Sequence, residues 1–216
     1  MTRLFYISLL LILVSCNFKP DSICVEGDCH NGNGTIEWTD GGFKKGHWIN
    51  GELTGKGTQF YGSSTEFAGD IYIGDFKNDK RHGFGSYYDK SEDVTFTGQW
   101  VDGKMTGKGK AKWGKNSKYP NRYCEGEWKN GLMNGFGVKH WEAGKYGGDK
   151  YVGEWKNDEM NGIGTYYWKN GSYYKGSYLN GKQNGNGIYV FPSGEIFKGI
   201  WINGYCKELA QKLGYE

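Results

Sequence analysis

The sequence predicts an all-β protein built from tandem β-hairpins, and two periodic features predict it. Glycine pairs nine residues apart recur six times, and a further glycine follows each pair two residues later. All nine tryptophans occupy one of two positions of the same frame. Self-similarity at a spacing of 23 to 28 residues is typical of repeat architectures. The pairs are Gly46 and Gly55, Gly74 and Gly83, Gly98 and Gly107, Gly126 and Gly135, Gly153 and Gly162, and Gly176 and Gly185.

The unit from Tyr151 to Gly171 shows why one frame predicts one hairpin. With Tyr151 as position 1, glycines stand at positions 3, 12 and 14 and tryptophans at positions 5 and 18. Both halves of the unit alternate with period two, which indicates two strands, and the polar segment between them indicates a turn longer than two residues. We expect position 5 to pair with 12, position 3 with 14 and position 1 with 16, because tyrosine at position 1 accompanies tyrosine at position 16. Each position-5 tryptophan would then face a glycine of its own hairpin.

The frame resembles the MORN repeat (membrane occupation and recognition nexus), whose motif is Tyr-x-Gly-x-Trp, a polar turn, and then Gly-x-Gly with a further aromatic residue. The resemblance covers residues 31–206, as six full units and a half-unit at each end. It implies an elongated, open, twisted antiparallel sheet, a solenoid of successive hairpins, roughly 60–70 Å long at about 4.8 Å per strand. No length remains for the kinase or methyltransferase domains that accompany such repeats elsewhere.

Residues 1–16 are predicted to be a lipoprotein signal peptide. Arg3 precedes the apolar run Leu4–Val14, which is too short to span a bilayer as a helix. The run ends in Leu-Val-Ser-Cys, which resembles the bacterial lipobox and implies that Cys16 becomes the first mature residue and carries lipid. That would place the protein in the bacterial cell envelope, anchored to a membrane on its periplasmic or surface side. An ordinary secretory signal and an uncleaved anchor are the alternatives.

Residues 17–30 are predicted to be a tether that contains a small disulfide loop. Cys24 and Cys29 enclose four residues, and an oxidising envelope favours a disulfide between them. A metal site is the alternative because His30 follows directly, but two cysteines and one histidine are an incomplete ligand set. Cys124 and Cys206 stand about three repeats apart and cannot bridge each other.

Residues 207–216 are predicted to be a cap. The segment KELAQKL has helical composition, and Leu209 and Leu213 would lie one turn apart on one face. A short helix there would cover the last strand, because an open sheet edge invites aggregation.

The face of the sheet opposite the glycines and tryptophans, here called the second face, is the predicted partner-binding surface. Positions 13 and 17 point to it and carry a row of mostly apolar residues beside polar position-4 side chains. An exposed apolar row needs a partner or a cover, and packing between adjacent hairpins is the alternative. The predicted set is Phe60, Phe84, Tyr88, Phe136, His140, Ile163 and Tyr167.

Three connections between repeats are longer than the others, and we expect all of them on one edge of the sheet. They cover residues 62–69, 114–122 and 143–149. Insertions gathered on one edge often mark a binding side, and tolerated loop growth is the alternative.

No catalytic constellation emerges from the sequence. The four histidines stand in different units, and no helix follows the Gly-x-Gly segments to present its N-terminus to a phosphate. A net charge of +3 gives no electrostatic footprint for nucleic acid. We therefore expect no enzymatic activity, no cofactor, no metal and no nucleic-acid partner.

The function favoured by the sequence is a non-catalytic, lipid-anchored scaffold for protein–protein interaction in the envelope, with a partner that the sequence does not identify. A phospholipid-binding module is one alternative, although lipid headgroups favour clustered Lys and Arg. A glycan-binding module that uses exposed Tyr and Trp is the other.

Overall fold

A computed structural model describes residues 21–214 as one open antiparallel sheet of 15 strands. The strands follow one another in the sheet in the order of the sequence, so each pairs with its predecessor and its successor. The all-β fold of tandem hairpins is confirmed. The predicted signal peptide and Cys16 lie outside the described residues.

The strands are β1 (Ser22–Gly27), β2 (Gly32–Trp38), β3 (Phe43–Ile49), β4 (Glu52–Phe60), β5 (Ile71–Lys77), β6 (Lys80–Asp89), β7 (Val94–Val101), β8 (Lys104–Trp113), β9 (Tyr123–Lys129), β10 (Leu132–Trp141), β11 (Asp149–Lys156), β12 (Glu159–Tyr167), β13 (Tyr173–Leu179), β14 (Lys182–Val190) and β15 (Ile196–Trp201). A 3₁₀ turn (Gly144–Tyr146) precedes β11, and helix α1 (Lys207–Leu213) follows β15.

The hairpin turns are shorter than predicted, and this changes the register inside each hairpin. In β9–β10, Lys129 pairs with Leu132, so only Asn130 and Gly131 form the loop. Both have positive φ, 54° and 86°, as a two-residue type I′ turn requires. Positions 3 and 14 pair as expected, and so do positions 1 and 16. Two extra residues at positions 12 and 13 are accommodated in a β-bulge, so the predicted pairing of positions 5 and 12 within one hairpin is wrong.

The glycine that faces each position-5 side chain belongs to the preceding hairpin. Trp128 pairs with Gly107 of β8, and Trp155 pairs with Gly135 of β10. The indole N–H of a position-5 tryptophan also donates to the carbonyl of the position-14 glycine in that preceding hairpin. The donor–acceptor distances are 3.0 Å for Trp48 to Gly34, 3.1 Å for Trp100 to Gly85, 2.9 Å for Trp128 to Gly109 and 3.1 Å for Trp155 to Gly137. The tryptophans thus join hairpins to one another rather than closing single hairpins.

The core lies along the face that carries the glycines and tryptophans, here called the Gly/Trp face. Tyrosines at position 1, such as the fully buried Tyr151, lie across the glycines at positions 3 and 14 and leave no room for a Cβ there. Units without this tyrosine fill the same space from position 10, with Leu53, Met105 and Met133, all buried. A side chain from position 1 or from position 10 can therefore fill the space above the glycines at positions 3 and 14.

The predicted tether is wrong from Ser22 onward, because residues 22–27 form β1 and pair with β2. What the sequence presents as a leading half-unit is the second strand of a complete hairpin. The Cys29 sulfur occupies the space above Gly34, where other hairpins place a tyrosine or methionine. Residues 22–27 contain no aromatic residue, and their one glycine, Gly27, stands five residues before Gly32 rather than the usual nine, so periodicity could not reveal them.

Helix α1 covers the predicted KELAQKL segment and contacts β15. The helix ends at Leu213, and the following Gly214 has a φ of 75°, the left-handed conformation of a C-terminal cap. Its packing differs from the prediction: Leu209 is half-buried and Ala210 buried, whereas Leu213 is exposed. The Cys206 sulfur, just before the helix, lies over Gly199 of β15 and closes the core at this end.

Candidate functional site

The second face carries a row of exposed apolar side chains at position 13. Phe84, Phe136 and Ile163 are 59%, 56% and 56% exposed, respectively. They stand on β6, β10 and β12, within the bulge that the tight hairpin turn creates. Bulges often aim a side chain away from the regular surface of a sheet. The sequence places these residues on the second face correctly, but only the structure shows that they stand on a bulge.

Acidic side chains at position 4 stabilise this bulge. The Asp75 carboxylate accepts a hydrogen bond from the Phe84 backbone N–H at 2.9 Å, and Glu154 accepts one from Ile163 N–H at 3.0 Å. The bulge removes these N–H groups from pairing inside their own hairpin, and the carboxylates replace the missing acceptor. The acids beside the apolar row are therefore part of its local structure.

The position-17 residues of the predicted set are less exposed to solvent than the position-13 residues. Tyr167 is exposed at 38%, whereas Phe60, Tyr88 and His140 are half-buried against neighbouring side chains. The prediction that all seven residues form one exposed stripe is therefore correct for Phe84, Phe136, Ile163 and Tyr167 only. Ring centroids lie 5.8 Å apart for Phe60 and Phe43, 6.1 Å for His140 and Tyr123 and 5.6 Å for Tyr167 and Tyr173, and the Tyr88 hydroxyl donates to Asp93 at 3.1 Å.

A shallow groove of about 550 Å³ lies between Phe84 and Phe136 on the second face. Its floor includes backbone of glycine residues, and charged side chains of both signs cross it. Lys108 stands directly opposite Glu127 in the sheet, and the same β8–β9 pairing sets Lys110 opposite Glu125. The groove thus combines two aromatic edges with balanced charge.

Several exposed apolar residues of the second face lie outside the predicted set, and Ile73 and Ile200 are two of them. Ile73 at position 2 is 56% exposed and Ile200 at position 4 is 60% exposed. The sequence gives a signal for both, since each is an isoleucine at a frame position that is mostly polar in the other units. They extend the apolar surface towards both ends of the sheet.

Several reactive or titratable groups of the Gly/Trp face are either buried or engaged in structural hydrogen bonds. Burial raises the pKa of the Cys124 thiol to about 11 and also raises the pKa of Cys206, so both thiols stay protonated at neutral pH. The Tyr166 hydroxyl donates to the buried Asp149 at 2.6 Å, and the other oxygen of Asp149 accepts from Lys169 N–H at 2.8 Å. This network fixes the start of β11 to the end of β12.

Cys24 and Cys29 are joined in a disulfide in the structure, which removes their sulfurs as metal ligands. Within residues 21–214, no group of three or more His, Cys, Asp or Glu side chains could hold a metal ion. In that same range no helix is long and apolar enough to cross a membrane.

Alkylation of the unfolded, unreduced protein should label Cys124 and Cys206 and leave Cys24 and Cys29 unlabelled. The reason is that a disulfide sulfur does not react with an alkylating reagent, whereas unfolding exposes both buried free thiols. Peptide mapping by mass spectrometry checks this, and a reduced sample labelled at each of these four of the five cysteines is the control. Labelling of Cys24 or Cys29 without reduction would contradict the disulfide.

The MORN repeat family model matches seven segments of the chain. They are residues 30–43, 45–65, 72–94, 96–118, 124–146, 151–173 and 174–196. The first segment covers β2 and the connection to β3 but does not reach β1.

One similar solved structure is the TCP domain of SAS-4 (dCPAP) of Drosophila melanogaster, in complex with a proline-rich motif of Ana2 (dSTIL). The identity is 13%, the TM-score is 0.47, and the match covers 93% of this chain and 99% of that chain. No curated protein sequence matches the chain.

The seven segments that match the MORN repeat model account for more than half of the sequence, and the structure arranges them as successive hairpins of one sheet. The chain therefore belongs to the MORN-repeat family.

Proposed function

We propose that this protein is a non-catalytic scaffold of the bacterial cell envelope that binds a protein partner through its second face and is anchored by lipid on Cys16. The observation that carries the proposal is the row of exposed position-13 side chains, Phe84, Phe136 and Ile163. Large apolar side chains in a row on a polar surface mark an interaction site, and aromatic residues commonly dominate binding energy.

The spacing of the row fits a partner segment that crosses the strands. Position-13 residues stand on every second strand, so they follow one another at about 10 Å, twice the distance between neighbouring strands. A partner segment that crosses the strands would therefore contact successive members of the row with side chains about 10 Å apart on one of its sides. Lys108 occupies the place between Phe84 and Phe136, and its aliphatic stem can continue the apolar contact.

The charges of the groove favour a protein partner over a lipid surface. Lys108 and Lys110 stand opposite Glu127 and Glu125, so no cluster of one sign forms there. Anionic membranes and nucleic acids both attract clustered Lys and Arg. A protein segment that carries both signs suits the groove better.

Two features support the absence of catalysis. The free thiols of Cys124 and Cys206 are buried and have raised pKa values, so neither is a ready nucleophile. The four histidines stand in different strands or loops of the sheet, and the cysteine next to His30, Cys29, is held in a disulfide.

Replacing Phe84 and Phe136 together with serine should abolish partner capture while leaving the fold intact. Both side chains are exposed, so the substitution removes contact area for a partner but little core packing. The measurement is photo-crosslinking in native membranes from a crosslinking amino acid at Ile163, in the full chain with and without the double change. We expect the crosslinked partner to fall at least about tenfold, as loss of two aromatic anchors implies.

The matched control replaces Phe67 and Ile202 with serine, two apolar residues that are exposed outside the row. This variant should retain the crosslink. The proposal is wrong if the double change in the row leaves crosslinking unaltered in a folded protein. Unfolding of that variant, seen by circular dichroism, would show that the row is core.

Cys16→Ala should release the protein from membranes and abolish metabolic acyl labelling, because the lipid is attached at that sulfur. Cell fractionation and labelling with a clickable fatty acid measure both effects. Cys206→Ala is the control and should keep the label. Absence of label from the natural chain would refute the anchor.

A further inference from the structure

A second candidate site lies on the Gly/Trp face, at the edge where two of the long connections meet. Residues 114–122 and 142–148 border a half-enclosed cavity of about 330 Å³. Its walls include Tyr119, Pro120, Trp141 and Tyr146, and three cationic side chains line it. The volume is at the lower end for small-molecule pockets, which suits one ring-sized ligand.

Arg122, which lines the cavity, and Lys139, which lies outside the lining on the neighbouring strand β10, both lie against aromatic rings and lack a carboxylate partner. The Arg122 guanidinium carbon lies 3.7 Å from the centroid of Tyr119 and 5.5 Å from that of Trp113. The Lys139 ammonium lies 5.4 Å from the centroids of both Trp141 and Trp155. Neither side chain forms a salt bridge or a hydrogen bond with any residue between 21 and 214. Half-buried cations are normally paired with acids, so this pair leaves a local excess of positive charge.

The acids near the cavity do not neutralise this charge. Glu142 lines the cavity but is exposed to solvent. The Asp158 carboxylate accepts a hydrogen bond from Met133 N–H at 2.8 Å and makes no ion pair with Lys139. Burial lowers the pKa of Lys139, and the charge of Arg122 lowers it further, whereas Cys124, Asp158 and Tyr119 act in the opposite direction. An anion bound in the cavity beside Arg122 would offset the unpaired charge of its guanidinium.

We propose that this cavity binds an anionic sugar, either a uronate or a sugar phosphate. Arg122 would hold the carboxylate or phosphate through its planar fork of donors, with Lys118 or Lys145 completing the charge. The exposed rings of Tyr119 and Tyr146 would lie against the C–H face of the sugar. The site is independent of the partner-binding surface, because it lies on the other face and uses none of the same residues.

The test is isothermal titration calorimetry of the full chain in detergent with four probes: glucuronate, glucose 6-phosphate, glucose and inorganic phosphate. Both anionic sugars should bind at least about tenfold more tightly than glucose, which lacks the charge, and than phosphate, which lacks the ring. Whichever anionic sugar binds more tightly identifies the preferred anion. Equal affinity for glucose or for inorganic phosphate would overturn the proposal, as would no binding of either anionic sugar.

Arg122→Gln should weaken binding by at least about tenfold, the loss expected for a charge-assisted hydrogen bond. Lys129→Gln removes the same charge from an exposed site next to a hairpin turn and should bind as the natural chain does. Unchanged affinity in a folded Arg122→Gln protein would overturn the assignment.

NMR spectroscopy can also locate the bound ligand without any substitution. The indole N–H resonances of Trp113 and Trp141 should shift when the ligand is added, while those of Trp48 and Trp201 should not. Shifts confined to the latter pair would place the ligand elsewhere.

Discussion

Trp128→Ala should lower the free energy of unfolding by about 3–5 kcal/mol, the range for removing a large aromatic side chain from a core. Trp128 is only 5% exposed and makes an edge-to-face contact with Phe96 at 6.2 Å. Its indole N–H also donates to the Gly109 carbonyl at 2.9 Å, so the substitution leaves a half-buried acceptor without this partner. The loss would fall on the contact between the β7–β8 and β9–β10 hairpins, because the tryptophan joins them.

Urea denaturation followed by circular dichroism measures this change. Trp128→Phe is the matched control, since Phe76 occupies the same frame position in another unit and is buried there. That variant should lose about 1 kcal/mol for the hydrogen bond and somewhat more for reduced contact area. An alanine variant as stable as the natural chain would mean that the indole does not hold adjacent hairpins together.

Gly126→Ala should destabilise the sheet strongly although it adds only one methyl group. A Cβ at residue 126 would lie 2.5 Å from the Gly137 Cα and 2.6 Å from the Phe136 carbonyl oxygen. Both are backbone atoms of the paired strand β10, so they can retreat only if the ladder opens. We expect a loss at the upper end of the overpacking range, about 3 kcal/mol.

Gly131→Ala is the matched control in the same hairpin. Nothing lies within 4 Å of a Cβ there, and its φ of +86° is the sole obstacle. A left-handed conformation costs an alanine about 1 kcal/mol, so this variant should be clearly the more stable of the two in the same denaturation experiment. Equal losses would indicate that backbone conformation, not close approach of strands, explains the glycines of the frame.

Much of the candidate surface could be predicted from the alternation of the strands. Phe84, Phe136 and Ile163 share one frame position, and period two sends that position away from the tryptophans. Their exposure could not be predicted, because strand residues on both faces of a sheet are often half-buried. The bulge that holds them follows from the length of the turn, and the polar segment between the two strands predicts a longer loop than Asn130-Gly131.

The cavity between the long connections could not be predicted in the same way. Arg122 and Lys139 stand 17 residues apart in sequence, and only the pairing of β9 with β10 brings them to one site. The sequence indicated that the long connections share an edge of the sheet. The sequence pattern did not predict that two cations without an acidic partner would lie near several aromatic rings there. Each of these residues occupies a position of the repeat or of a loop where its residue type is ordinary.

The sequence by itself determined the repeat, the strand order and the two faces, since each depends on periodicity within about 25 residues and on hairpins that pair only with their neighbours. The tertiary structure alone decided which neighbouring hairpin each tryptophan contacts, because a two-residue turn and a bulge set the register of one strand against the next. It also decided that residues 22–27 complete the first hairpin. That strand does not follow the repeat motif, and its position is determined by its antiparallel pairing with the outer edge of β2.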